Sequence, residues 1–179
     1  MYKRQYQYFR LWLVQLVGSL GDWLGFLAIA AAATELGGGT PETAVGFVFT
    51  ARIIPGLFLA PLAGVLVDRW NRKKVMILCD LGRVAILLLL PFASTVWHLV
   101  LASFALEIFT LLWIPAKDSV VPSIVPEESL TTVNSLQMAA TYGTVPIAAS
   151  LFIFLGRFAD KVETSVSYTH LRAHETSID

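Results

Sequence analysis

Charged residues and cysteines are the scarce components of this 179-residue sequence. Only 15% of the residues are charged, whereas an average soluble domain has about 25%. The single cysteine, Cys79, excludes an intramolecular disulfide and a cysteine-rich metal site. The sequence also has no phosphate-binding glycine loop of the Walker type. We therefore expect no cofactor and no nucleotide hydrolysis by the chain itself.

Apolar residues are abundant instead: they make up 56% of the chain, and the mean hydropathy is +0.67. They fall in blocks about 20 residues long, the length that a helix needs to cross a hydrocarbon core about 30 Å thick. The sequence therefore predicts an all-α, polytopic membrane protein. Pro115, Pro122 and Pro126 are expected to break the exit of the fourth span into a longer connection, and Ser129 to cap the fifth helix. Five spans are predicted, at residues 9–34, 44–67, 75–92, 96–116 and 130–155.

Basic residues are confined to alternate connections between these spans. The first and third connections contain none, whereas the N-terminal tail and the second connection contain Lys3, Arg4, Arg10, Arg69, Arg72, Lys73 and Lys74. The positive-inside rule then predicts a cytoplasmic N-terminus and a cytoplasmic second connection. A cleaved signal peptide is the alternative for the start of the chain. The length of the first apolar stretch, which Gln15 and Asp22 interrupt, favours an uncleaved span.

Ionisable side chains at membrane depth are functional candidates, because burying a charge in a bilayer is costly. Asp22 lies near the middle of the first span and Glu107 near the middle of the fourth, and Arg52 on the second span is placed to pair with either acid. One hypothesis is that Asp22 and Glu107 carry proton coupling or bind a cationic or polar substrate, and that Arg52 modulates them. A purely structural buried ion pair is the alternative for each residue.

Two further charged residues lie on the third span. Asp80 and Arg83 are three residues apart, so they share one face of the helix. Both fall in its cytoplasmic half, close to the second connection. We predict that they form a structural pair that supports this connection, rather than a contact to substrate.

The second connection carries the most specific motif of the sequence. It reads Gly64-Val-Leu-Val-Asp68-Arg69-Trp-Asn71-Arg72-Lys73-Lys74, and we call it the hinge segment. It resembles the signature loop of the major facilitator superfamily, which lies between the second and third spans. A merely basic cytoplasmic turn would explain the charges but not Gly64 and Asp68 at this spacing. Asn71 stands where the family usually has glycine, and asparagine tolerates the left-handed backbone conformation better than most residues.

Each part of the hinge segment has a physical role available. Gly64 continues a stripe of small residues with Gly56 and Ala60, which lets another helix approach closely. Asp68 can face the positive N-terminal end of a neighbouring helix. The basic residues Arg69, Arg72 and Lys73 fix the topology and can pair with acids or anionic lipid head groups. The resemblance implies that this loop helps to lock the two halves of a transporter in one state.

A second resemblance covers the connection after the fourth span. The sequence here is similar to the pattern of the enterobactin-exporter-like branch of the superfamily. The matching residues are Pro115-Ala116, Pro122-Ser-Ile-Val-Pro126-Glu127, Leu130, Asn134-Ser135 and, in the first span, Gly21-Asp22. The stretch Gly143-Thr-Val-Pro146-Ile-Ala-Ala149 resembles the glycine-proline motif of antiporters, although Val145 and Ala149 replace its glycines.

These resemblances imply proton-coupled efflux of a small molecule, such as a drug or a siderophore, across a bacterial inner membrane. The alternatives are a membrane subunit of another transport system and a uniporter or importer of the same superfamily. A membrane-embedded enzyme is not expected, because it would need a cluster of histidines and acids. His98 is the only histidine in the predicted spans.

The end of the chain has a different character. Residues 165–179 are polar and resemble a translated adapter sequence. His170 and His174 are spaced as two metal ligands on a helix could be, but no third ligand is evident, so we expect no metal site there. We therefore interpret residues 1–164 as most of the N-terminal six-helix half of a transporter, without its second half, and we expect no transport by residues 1–179 alone. The expected partners are the lipid bilayer, a small-molecule substrate, protons and the missing C-terminal half. No nucleic acid is expected to bind.

Overall fold

The computed structural model describes residues 2–158, with side chains from residue 6 onward, and these residues form helices and short connections without any β-strand. The helices are α1 (Tyr2–Leu36), α2 (Pro41–Asp68), α3 (Arg72–Leu89), α4 (Val96–Ile124) and α5 (Leu130–Tyr142). Gly143 interrupts the last helix, and helical residues resume at 144 and reach 158. Five helical stretches are long and apolar enough to cross a membrane, which confirms the all-α polytopic fold. The predictions for residues 165–179 lie outside the described residues.

The fourth helix is longer than its sequence predicts. α4 continues through Pro115 and Pro122 to Ile124, so the prediction that these two prolines break the exit of the fourth span is wrong. A proline removes one backbone hydrogen bond, but neighbouring helices and local adjustments compensate for the loss in membrane helices. The extra turns bring Lys117 and Val121 into the interior of the bundle.

The turn of the hinge segment is closed by Asn71. Its side-chain oxygen accepts a hydrogen bond from the Lys74 backbone N–H at 3.2 Å, which makes it the N-cap of α3. Its φ of −71° is not left-handed, so the turn does not use the conformation that asparagine tolerates. Ser129, in contrast, makes no side-chain hydrogen bond at the start of α5. The prediction that Ser129 caps α5 is therefore wrong. The side-chain cap described above is at the start of a different helix, α3, where Asn71 provides it.

Replacing Asn71 by alanine is expected to lower the free energy of unfolding by about 1 kcal/mol, because one orphan N–H of α3 loses its acceptor. Asn71→Ser keeps an acceptor and is the matched control. Circular dichroism during unfolding in mixed detergent micelles measures the difference. Equal stability of the two variants would contradict the capping role.

The buried apolar residues form three clusters along the bundle. The first lies near the turn at residues 37–40 and contains Ile29, Ala33, Ala44, Val48, Leu99 and Leu106. The second lies beside the hinge segment and contains Val67, Val75, Cys79, Trp113 and Ala116. The third joins the start of α1 to the α4–α5 connection through Val121, Val125 and Val133. Many large apolar side chains remain exposed, among them Leu57, Phe58 and Leu62, as a lipid environment allows.

A row of hydrogen bonds fastens α1 to α5, and we call it the α1–α5 seam. In each bond a side chain of α1 donates to a main-chain carbonyl of α5. The four bonds run from Tyr8 Oη to Val133 O (3.2 Å), Trp12 Nε1 to Leu136 O (2.9 Å), Gln15 Nε2 to Gln137 O (3.2 Å) and Trp23 Nε1 to Thr141 O (2.9 Å).

Glycines set the closest approach between helices at two places. A Cβ at Gly82 of α3 would lie against the ring of Phe109, 2.6 Å from Cε2 and 2.8 Å from Cε1. A Cβ at Gly25 of α1 would lie 2.8 Å from Leu87 Cδ2. Gly56 and Gly64 on α2 differ, because a Cβ there would meet nothing within 4 Å. The small-residue stripe of α2 is therefore not used in packing among the described residues.

Candidate functional site

Arg83 is the centre of the largest charged group inside the bundle. Its side chain is 9% exposed, and its Nη1 lies 3.5 Å from Asp22 Oδ2 and 3.5 Å from Asp80 Oδ1. Its Nη2 donates to Thr110 Oγ1 at 3.3 Å. The guanidinium also lies over the ring of Trp113, with 5.6 Å from Cζ to the ring centroid. One arginine of α3 therefore links α1 and α4.

A second ion pair joins α2 to α4. Arg52 Nε lies 3.7 Å from Glu107 Oε2, and both side chains are mostly buried. The Arg52 guanidinium also lies over the ring of Phe26 on α1, with 4.9 Å from Cζ to the ring centroid. Such a contact with an aromatic face stabilises a cation further when water is excluded. Together, the two charged groups connect the four helices α1, α2, α3 and α4.

The structure divides the residues that depth singles out between the two charged groups: Asp22 pairs with Arg83, and Arg52 pairs with Glu107. Of the two acids open to Arg52 in the sequence, it contacts Glu107. Arg83 does pair with Asp80, but it also reaches Asp22 across the helix interface. The pair on α3 is therefore part of the intramembrane charge network and not only a neighbour of the hinge segment. The functional roles of these residues stay predictions.

The charges of the hinge segment lie at the surface. Asp68 Oδ1 is 3.9 Å from Arg72 Nη2, and both side chains are well exposed. Arg69 and Lys73 are exposed as well. Arg69 borders an apolar groove of about 470 Å³ between α2 and α4. Among residues 6–158, a Cβ at Gly64 would meet no atom within 4 Å, and Asp68 pairs with Arg72 of the same segment.

Lys117 is a buried charge that the sequence analysis assigned to no site. It is 6% exposed, and its Nζ donates to Gln137 Oε1 at 2.6 Å and lies 3.5 Å from Gln15 Oε1. Its carboxylate partner is Asp118, whose Oδ1 lies 3.1 Å from Nζ. The available signal was the pair of glutamines within otherwise apolar helices, but the predicted end of the fourth span near residue 116 placed Lys117 in a loop.

A cavity of about 540 Å³ lies between α1, α4 and α5, and Arg83 borders it from α3, whereas Arg52 and Glu107 are not among the residues that line it. This volume is within the range of about 300–1,000 Å³ that small-molecule sites occupy. Asp22 and Arg83 lie on its wall with Trp113, Lys117 and Gln137. Within residues 6–158 no three histidine, cysteine or acidic side chains are grouped so as to hold a metal ion. The cavity can therefore bind a ligand through charges, amides and aromatic faces.

The sequence profile of the Major Facilitator Superfamily matches residues 11–163. The chain belongs to this superfamily. The match extends over parts of all five spans and includes both charge groups. As a superfamily member with five helices long and apolar enough to cross a membrane, the chain is a multi-pass membrane protein.

Individual relatives of this superfamily member include exporters. Macrolide efflux protein A of Streptococcus pyogenes is 30% identical over 155 residues, which are 82% of this chain and 38% of that protein. Macrolide efflux protein A of Enterococcus faecalis is 35% identical over 108 residues, 55% of this chain and 33% of that protein. The uncharacterized MFS-type transporter YfiS of Bacillus subtilis is 30% identical over 113 residues, 63% of this chain and 27% of that protein. The chain thus spans between 27% and 38% of the length of these relatives. No solved structure matches it.

Proposed function

We propose that this chain supplies the first helices of a secondary active transporter that exports a small amphipathic molecule in exchange for protons. Two relatives are named macrolide efflux proteins, and the motifs around Pro115 and Pro122 resemble the enterobactin-exporter-like branch. A drug, a macrolide or a siderophore is the proposed type of substrate. The remaining helices, including a second half, complete the transporter in this proposal, and without them residues 1–179 do not transport.

The observation that carries the proposal is the pair of charge groups that connects α1 to α4. Arg83 bridges Asp22 and Asp80, and Arg52 pairs with Glu107. Asp22 and Glu107 are 27% and 17% exposed, so both carboxyl groups are largely buried without being fully enclosed. Protonation of Asp22 weakens the link between α1 and α3, and protonation of Glu107 weakens the link between α2 and α4. A proton can thus change the contacts between helices, as a coupled transporter requires.

The hinge segment supports a specific arrangement of the complete transporter. The open stripe at Gly56 and Gly64 and the exposed Asp68 leave α2 free to receive a helix of the second half. The cluster of basic residues at Arg69, Arg72 and Lys73 favours a cytoplasmic position for this end of the bundle, and with it a cytoplasmic N-terminus. The membrane is then the bacterial inner membrane.

Proton coupling is tested with Asp22→Asn and Glu107→Gln in the complete transporter. Each variant is expected to reduce substrate uptake driven by an imposed pH gradient in proteoliposomes about tenfold or more, which corresponds to about 1.4 kcal/mol. Substrate counterflow at equal pH is expected to continue, because it needs binding and the conformational change but no net proton movement.

Glu42→Gln is the matched control, because Glu42 is an exposed acid in the first turn of α2. It removes the same charge without touching either ion pair. Gradient-driven uptake that stays at the wild-type rate in both Asp22→Asn and Glu107→Gln would contradict the coupling role. A wild-type protein that equilibrates substrate without any response to the pH gradient would favour a uniporter of the same superfamily.

A further inference from the structure

Lys117 contacts two kinds of group: neutral amide oxygens and one carboxylate. The two amide oxygens are from Gln15 on α1 and Gln137 on α5. Gln15 is itself fixed, because its Nε2 donates to the carbonyl of Gln137 and to Thr141 Oγ1 at 3.0 Å. These amides orient the ammonium group but carry no charge to neutralise it. The negative charge next to Lys117 comes from Asp118 alone among the described residues.

Asp118 is a weakly held partner. Its side chain is 54% exposed, while that of Lys117 is 7% exposed. A carboxylate that is already half in water loses little when it turns away, since water solvates it. The ammonium cannot follow it, because Gln15, Gln137 and the packing of α4 hold it in place. A buried cation left without an anion is costly, so another anion that enters the cavity is bound in exchange.

The space for such an anion is present. The cavity has about 540 Å³, and both Lys117 and Asp118 lie on its wall. The ring of Trp113 lies under the ammonium, 5.7 Å from Nζ to its centroid, and provides an apolar face beside the charge. The other cation of the cavity, Arg83, is already held by two carboxylates. Lys117 is therefore the cation that is available to a ligand.

We propose that Lys117 forms an anion-binding subsite of this cavity, which takes the carboxylate of an amphipathic aromatic or polycyclic molecule in place of Asp118. The proposed function then acquires a substrate class: molecules with one acidic group and an apolar body that stacks near Trp113. Binding at the subsite does not depend on proton coupling, but its use in transport rests on the proposed function.

Binding is tested with three probes that share one apolar body: 2-naphthoate, 2-naphthamide and 2-naphthylmethylammonium. The 179-residue chain is placed in nanodiscs of phosphatidylcholine, and equilibrium dialysis measures binding after subtraction of empty nanodiscs. The carboxylate is expected to bind roughly tenfold or more tightly than the amide, because it forms a charge-assisted hydrogen bond with the ammonium. The cationic probe is expected to bind more weakly than both.

Two variants assign this preference to the subsite. Lys117→Gln is expected to abolish the difference between naphthoate and naphthamide. Asp118→Asn changes an exposed side chain and is expected to tighten naphthoate several-fold, because the competing carboxylate is removed. Lys74→Gln is the matched control: it removes a lysine charge at the exposed hinge segment and is expected to leave all three affinities unchanged.

The outcomes separate this proposal from the transport mechanism. Equal binding of naphthoate and naphthamide to the wild-type chain would overturn the anion subsite, and so would unchanged affinity in Asp118→Asn, a variant in which the Lys117 contacts to both amides are kept. Neither result would affect proton coupling through Asp22 and Glu107. Conversely, a transporter without proton coupling that still prefers the carboxylate retains the subsite.

Discussion

Substituting Gly82 by valine is expected to lower the free energy of unfolding by about 3 kcal/mol, because the new side chain overlaps the ring of Phe109. Overpacking of a well-packed interior costs about 1–3 kcal/mol, and the short contacts to ring carbons put this position at the upper end. Phe109 cannot move away without cost, since it packs against the buried cluster of Val67, Val75, Cys79, Trp113 and Ala116. Unfolding in mixed detergent micelles, followed by circular dichroism, measures the effect.

Two comparisons make the Gly82 result specific. Gly64→Val adds the same side chain to α2 at a position where a Cβ meets nothing within 4 Å, so the stability of the 179-residue chain is expected to change far less. Combining Gly82→Val with Phe109→Ala removes the overlap and is expected to recover part of the loss. If Gly82→Val were no less stable than Gly64→Val, the close approach of α3 and α4 at this point would be wrong.

Substituting Arg83 by leucine is expected to destabilise the bundle by about 2 kcal/mol, less than the loss of one partner of a fully buried ion pair, because Asp22 and Asp80 are 27% and 43% exposed and water solvates them in part. The guanidinium is 9% exposed and is the cation that contacts both Asp22 and Asp80. Its loss leaves two carboxylates without their partner and also removes the hydrogen bond to Thr110. The same unfolding measurement applies.

A double-mutant comparison separates charge from packing at Arg83. Asp22→Asn added to Arg83→Leu is expected to restore part of the stability, because the amide has no charge that needs a partner. Arg72→Leu is the control: it also breaks a pair with an aspartate, Asp68, but at the exposed hinge segment, where such pairs contribute about 0–1 kcal/mol. A similar loss for Arg72→Leu and Arg83→Leu would contradict the difference in burial.

Composition and the length of apolar blocks were sufficient to predict the fold, because a membrane helix must be about 20 apolar residues long whatever its neighbours are. Helix ends were less accessible to sequence. The rule that proline ends a helix comes mainly from soluble proteins, and α4 passes Pro115 and Pro122. The cap at Asn71 was not predicted either: its side chain accepts a backbone hydrogen bond at the start of α3, and its φ is not positive.

For the candidate site too, the sequence identifies some of the residues but not the contacts that they make. Depth in the membrane identifies Asp22, Arg52 and Glu107 from the sequence, because a charge there is unusual at any rotation of its helix. The sequence does not show which acid each arginine contacts, because that depends on how the helices rotate and pack. Lys117 was missed because its burial follows from the extra turns of α4 and from two glutamines on other helices.

The α1–α5 seam has a consequence for directed evolution of substrate preference. Its donors are the side chains of Tyr8, Trp12, Gln15 and Trp23, but its acceptors are main-chain carbonyls of α5. Any residue supplies a carbonyl, so the side chains of α5 that face the cavity, such as Asn134 and Met138, can be randomised without removing the bonds that hold this helix. A mutant library that varies α5 and leaves α1 intact therefore retains more folded members than the reverse.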